Sequence, residues 1–545
     1  MDATTRFDTQ IVGALPVITQ YFDRLKLAET IDELVPWEGE VPLGTLVEIM
    51  IANRLLQPKA LFRVGDWAQK AGLTDYYGVT AEQLNDDRLG RALERLNDHA
   101  DTVECGLVTR AIKVFKLRVD QIHCDLTSVE LYGAYELGLP EGETPPTPMP
   151  AYGHTKSGRK NVKQIQLGLN VTSDGGVPVG HRPLNGNAAE SKTHLDNLRL
   201  LRRTLPKGSL LYIADTKLDT SENLLAIAAG EGQFLCGGVF TSALQEEFMA
   251  LRHKLHAVDY CPQSQRELPP EKRDAYQAFE VSELLEGMVD GRKVRLRYRK
   301  IFVWSEAKSL LEAKTRERHT DKIREEFEAV AKNAGKYSLK TREAILRRLE
   351  AIKTRYAEGE LFDYQLREDR QGRFHLTWKI DPRTLKRFRQ LEGVYVLKTN
   401  LSPRSHPTVT AMGTYKQQSC VERRFHHLKG PLAVAPMFLK NPQRMSGLLC
   451  ILVWALLALA LMERQVRHEL KGKPLYGLYP ENRPSPAPTG PAIMECFSSL
   501  CIVIIKEHGN TSRRLAQSAP IQQTLLRLLG IPPDGLQTFK QRCGM

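Results

Sequence analysis

The stretch Val119-Asp120-Gln121-Ile122-His123-Cys124-Asp125-Leu126-Thr127 alternates with a period near two, the pattern of a strand with two unlike faces. Upstream the chain has mostly helical spacing; downstream it turns strand-rich. Gln164-Ile165-Gln166-Leu167-Gly168-Leu169-Asn170-Val171 alternates again, Asp174-Gly175-Gly176 supplies a hairpin turn, and Val177-Pro178-Val179-Gly180-His181 returns. A helix is expected over 192–205. The apolar run Leu210-Leu211-Tyr212-Ile213-Ala214 then ends on Asp215, Ser221-Glu222-Asn223 starts another helix, and Gln233-Phe234-Leu235-Cys236 makes a fifth strand.

Three strands, helix, strand, helix, strand is the order of a ribonuclease-H-like sheet. The first and fourth strands are neighbours in that fold, which by analogy sets Asp125 beside Asp215. The expected class is therefore α/β: a ribonuclease-H-like mixed sheet core with a partly β insertion domain and helical N- and C-terminal regions. The expected boundaries are 1–115 for a helical N-terminal domain, 116–240 for the first part of the core and 241–400 for the insertion. The last part of the core, with a Glu-bearing helix, takes 401–470, and a helical region suited to dimerisation takes 471–545. The N-terminal domain reads equally as a reader of DNA ends and as a plain helical packing module. Within the insertion, 294–305, 374–380 and 393–397 read as strands, and 306–358 as a charged helical hairpin or short coiled coil broken near Asn333-Ala334-Gly335.

A chain of 545 residues is too long for one ordinary domain. With 42% hydrophobic and 26% charged residues it is globular rather than disordered. A net charge of +13 favours a polyanionic partner. The nine scattered cysteines contain no Cys-x-x-Cys pair, which argues for a reducing compartment and against structural zinc. The polar, acidic first residues do not read as a secretory signal. The apolar run 447–462 falls short of the roughly 20 residues that span a bilayer and suits a helix buried on all sides. The expected location is the cytoplasm, with no membrane partner.

A second acidic constellation lies further on. On one continuous helix, Tyr415, Gln418, Glu422 and Lys429 would stand at about 0°, −60°, −20° and −40°, all on one narrow face. Val421, Phe425 and Leu428 lie beside it and can anchor the helix to a sheet. A carboxylate flanked by a phenol, an amide and an ammonium suits a metal next to a phosphate backbone. It also fits an ordinary solvated helix face. Two carboxylates at strand ends and a third on a later helix can hold two divalent cations, the chemistry of a nuclease or strand transferase.

These blocks together resemble a bacterial insertion-sequence DDE transposase of the family-four group. The group carries a Tyr-x2-Arg-x3-Glu-x6-Lys signature, matched here by Tyr415, Gln418, Glu422 and Lys429, with glutamine in place of arginine. Asp125 with Thr127, Asp215 at the end of an apolar strand, and a large insertion before Glu422 follow the group pattern. So do Leu84-Asn85-Asp86-Asp87-Arg88-Leu89-Gly90-Arg91-Ala92-Leu93, Gly153-His154-Thr155-Lys156 and Gly186-Asn187. The Thr216-Lys217 that follows Asp215 departs from it, as does Gln418. The resemblance implies cut-and-paste transposition by a homodimer acting on inverted-repeat DNA ends and target DNA. It assigns Asp125, Asp215 and Glu422 to catalysis and to two Mg²⁺ ions, with Mn²⁺ as a substitute. Tyr415, Gln418, Lys429, Lys156 and Arg159 would hold DNA phosphate. A domesticated or inactive DNA-binding protein and a nuclease of similar fold are the alternatives. Trp304 and Trp378 read either as clamps for a flipped base or as core residues. His123, on the same side of its strand as Asp125, reads either as a support for that carboxylate or as a core residue.

Overall fold

The structure is a computed structural model that describes residues 6–131, 135, 147–153, 161–206, 208, 210–262, 265–435, 437, 439–507, 510–532 and 536–545. Its strands in chain order are β1 (Arg6–Ile11), β2 (Gln121–Leu131), β3 (Ala151–Tyr152), β4 (Lys163–Thr172), β5 (Pro178–Leu184), β6 (Leu211–Ala214), β7 (Gln233–Gly238) and β8 (His256–Val258). There follow β9 (Tyr276–Val289), β10 (Arg292–Ser305), β11 (Phe362–Glu368), β12 (Phe374–Ile380), β13 (Val394–Thr399), β14 (Cys501–Glu507) and β15 (Asn510–Leu515). The chain divides into one unit of Met1–Gln233 with Gln417–Met545 and a second of Phe234–Lys416. The segment expected as an insertion, 241–400, falls inside the second unit.

The first unit is α/β with a mixed sheet. In it β2 pairs antiparallel with β4 and parallel with β6. The far edge of β4 is shared by β5 and the short β3. The β4–β5 turn is set by Gly175 and Gly176 at φ +91° and +65°, a backbone region that L side chains adopt at a cost. Helices Glu190–Thr204 and Ser221–Ala229 follow β5 and β6.

The core of this unit is threaded by the helix Pro442–Leu470. Pro442 opens it, Asn441 caps it by accepting from the amides of Gln443 and Arg444, and Lys471 closes it in the left-handed conformation. Leu, Ala, Ile and Val leave no polar stripe along its middle, so the helix is covered on every side. By length and composition it could cross a membrane, yet its apolar window is wholly buried. It packs on the helices Leu43–Leu56 and Asp86–Asp98. At Gly447 an added Cβ would come within 2.2 Å of the Leu93 carbonyl oxygen, so only glycine permits this crossing.

Two regions read as mostly helical or helical also contain strands. β1 pairs antiparallel with β14, Arg6 opposite Lys506 and Ile11 opposite Cys501, and β15 completes a three-stranded sheet. A single short strand has no local partner, so its pairing across the chain is invisible to periodicity. The N-terminal helices and the C-terminal region, expected as separate domains, share one apolar core that runs from Val12 to Cys543.

The second unit holds the antiparallel order β7-β13-β10-β9-β8. Helices Glu306–Asn333 and Arg342–Lys353 pack against the β11–β12 hairpin around Phe327, Ile345, Leu349 and Phe362. Trp378 meets Phe327 edge-on at 5.8 Å, and Trp304 packs against the cluster containing Phe279 and Phe302.

Candidate cation site

The parallel pairing of β2 with β6 matches Gln121 to Leu211 and His123 to Ile213. Two residues further along the same register stand Asp125 and Asp215. The Asp215 carboxylate accepts from the Lys217 amide at 2.9 Å and caps the turn Thr216–Leu218. The Asp125 carboxylate accepts from the Leu126 amide at 2.8 Å. Glu190, the first residue of helix Glu190–Thr204, joins them: one ligand atom from each of Asp125, Glu190 and Asp215 lies within 4.8 Å of the other two. All three are partly exposed. Converging carboxylate oxygens suit a hard divalent cation such as Mg²⁺ or Mn²⁺. Residues expected in the sequence to approach this site, Lys156 and Arg159, lie outside the described residues, as does Lys160.

Beneath the carboxylates an interlocked polar network sets their carriers. Asn170 on β4 and Asn197 on the helix Glu190–Thr204 donate to each other's side-chain oxygens at 2.8 and 2.7 Å. The Cys124 thiol donates to Asn170, and Asn197 donates to the Tyr212 hydroxyl at 3.0 Å. His194 Nδ1 also meets that hydroxyl, at 3.1 Å. Strands β2, β4 and β6 are thus tied to one helix through buried and half-buried groups that each need the others. Burial drives the Cys124 thiol far above its ordinary range and pulls His194 down to about 4, so both are neutral at pH 7.

Glu422 is not a member of the Asp125–Glu190–Asp215 group. It is exposed on the helix Ser419–Lys429, which packs on β2. Tyr415 sits instead on the helix Thr408–Lys416; residues Gln417 and Gln418 form a turn between the two, so the one continuous helix expected over 415–429 is broken. Cys420 and Val421 bond back to the Gln417 and Gln418 carbonyls at i−3 spacing, which accounts for the break. Gln418, expected to grip phosphate, turns its amide inward. Its nitrogen donates to the Cys124 carbonyl at 2.8 Å and its oxygen meets His123 Nδ1 at 3.0 Å. His123 is fully buried, also meets Ser173 at 2.8 Å, and is pulled down to about 4 by burial. Gln418 therefore fastens the start of the Glu422 helix to the strand that carries Asp125. Lys429 ends that helix, exposed to solvent.

The middle of the helix is fixed by Arg424, 1% exposed. Its guanidinium donates to the carbonyls of Gly175 and Gly176 at 2.6 and 2.7 Å and pairs with Glu463 at 3.1 Å. Glu463 also pairs with Arg467 at 2.8 Å and accepts from the Gly490 amide. Burial works to raise the Glu463 carboxyl, but Arg424 and Arg467 outweigh it and hold it below the usual range.

Glu190, His194 and Asn197 were missed in the sequence. Helical spacing becomes visible only after the first turn, so the expected start at 192 left Glu190 in the loop. The one signal for it was an acidic residue at a helix N-terminus, where the dipole favours negative charge, three residues after Asn187. Residues 7–104 match a family model described as "Domain of unknown function (DUF4277)". No curated protein matches the chain.

Proposed function

We propose that this protein is a metal-dependent DNA strand transferase of the DDE transposase type, built on a ribonuclease-H-like core. The observation that carries the proposal is the parallel register of β2 and β6, which brings Asp125 on β2 beside Asp215, the residue that follows β6. The sheet order supports the core assignment: an antiparallel β5–β4–β2 meander followed by a parallel β6 reached through a helix.

The donor set fits the metal this chemistry uses, since every converging ligand atom is a carboxylate oxygen. Two bound Mg²⁺ ions would activate water and then a 3′ hydroxyl for in-line attack and neutralise charge on the phosphate. Asp125 and Asp215 would hold them. Glu422 is the third catalytic carboxylate of this reading, carried on a helix that Gln418 and Arg424 lock to the core. Lys429 and Tyr415 would steady the DNA backbone, and the net charge of +13 would draw DNA to the surface. The protein would act as a homodimer on two transposon ends in the bacterial cytoplasm.

The test is incubation with Mg²⁺ and DNA carrying the inverted repeats that flank the coding region. Nicks at the repeat ends and joined products support the proposal. Nicks without joining indicate a nuclease, and binding without nicks a non-catalytic DNA-binding protein; either result overturns it.

A further inference from the structure

We infer that Glu190 is a ligand of the divalent cation held by Asp125 and Asp215, completing a three-carboxylate site within one face of the first unit. The inference rests on the cation-dependent reading above and adds to it a donor that lies in none of the sequence blocks resembling the transposase signature.

Three observations converge. A Glu190 carboxylate oxygen lies within 4.8 Å of ligand atoms on both aspartates. Its helix cannot drift, because His194 and Asn197, one and two turns on, are bonded to Tyr212 on the strand that ends at Asp215. The third observation points to a guest. His194 is 3% exposed, and its Nε2 has no hydrogen-bond partner. A buried polar nitrogen left unmatched is costly, and native interiors supply such groups with a protein or water partner. His194 and Asp125 line the same small cavity of about 10 Å³, room for about one water. The Asp215 carboxylate acts on the imidazole electrostatically. A hard cation that keeps part of its hydration shell brings ordered water to such a place.

The experiment reads cation binding directly. Mn²⁺ is titrated into the full-length protein without DNA and followed by electron paramagnetic resonance, for the wild type and for Glu190→Gln, Asp125→Asn and Asp215→Asn. The expected result is that Glu190→Gln weakens binding by roughly tenfold to a hundredfold while its thermal melting stays near that of the wild type. If Glu190→Gln binds Mn²⁺ as the wild type does while both aspartate variants lose it, the inference fails and the proposed function stands. If the wild type binds no Mn²⁺, both fail. Should Glu190→Gln not fold, iron-directed cleavage of the wild type decides. Fe²⁺ with ascorbate and peroxide cuts the backbone beside its ligands, and fragments ending near 125, 190 and 215 are expected. Cuts near 125 and 215 alone overturn the role of Glu190.

Discussion

Asp125 on β2 and Asp215, the residue that follows β6, each lie two residues beyond the paired His123 and Ile213. Loss of one negative charge from this pair, with shape preserved, isolates the role of the metal. Asp125→Asn or Asp215→Asn should lower Mg²⁺-dependent nicking by on the order of a thousandfold, since metal-ion catalysis supplies several kcal/mol. Gel-shift affinity for repeat-end DNA should change less than threefold. Nicking retained at a tenth of the wild-type rate in either variant would remove the aspartates from the chemistry.

Gln418 predicts a split between binding and turnover. Gln418→Leu deletes both bonds to the buried His123 and Cys124 groups, at about 1–3 kcal/mol for each group left unmatched. The Glu422 helix then loosens at its N-terminus. Strand transfer should fall by at least about tenfold, the factor that 1.4 kcal/mol produces, while DNA affinity holds. A variant that instead loses DNA affinity first would show Gln418 gripping phosphate after all.

The Arg424–Glu463 pair predicts a stability loss without a change in the site itself. Glu463→Gln leaves a buried guanidinium without its countercharge, which costs about 3–5 kcal/mol. Urea unfolding should show that drop. Arg424→Met combined with Glu463→Leu should recover part of it, the remainder reflecting the Gly175 and Gly176 carbonyls that Arg424 also satisfies.

Three buried histidines set a pH dependence. His123, His194 and His427 are each pulled down to about 4, in every case chiefly by burial. Unfolded, they take up protons near pH 6.5. The stability they contribute is complete above that pH and is lost as pH falls toward 4. His181 acts in the opposite sense: burial opposes its protonation, but Glu104 at 2.6 Å outweighs that and raises it, so its contribution fades as pH rises. Three against one, the melting temperature should fall steadily from pH 6.5 to 5, a window above most carboxylate titration. His123→Asn, which takes no proton, should show a shallower slope; an unchanged slope would exclude His123 as a source.

The sequence made the first unit's sheet readable because its strands are consecutive and two-faced. β4, its Gly-Gly turn and β5 are local, and the run to Asp215 is apolar throughout. Partnerships over long separations were not readable. β9 escaped notice because Glu280, Ser282 and Glu283 interrupt its alternation. β11 alternates regularly, Phe362, Tyr364 and Leu366 against Asp363, Gln365 and Arg367, but it is short and directly follows a charged helical stretch. The Glu422 helix was placed correctly beside apolar anchors, but the turn at Gln417–Gln418 leaves no compositional mark. Glu190 was hidden for a geometric reason, since a loop of unknown path decides where a helix start is delivered.

The pairing of β1 with β14 has a consequence for how the protein is made. The apolar core that surrounds the sheet draws on residues from Val12 to Cys543, so a nascent chain emerging from the ribosome lacks the means to close it until synthesis is nearly finished. The second unit, contiguous over Phe234–Lys416, has all its residues earlier and can mature on the ribosome. The aspartate strands wait unpacked in the meantime. Premature termination between Lys416 and β14 therefore yields a polypeptide with both aspartates and a matured middle segment but no finished core around them. Truncated products should be inert and prone to clearance rather than partially active.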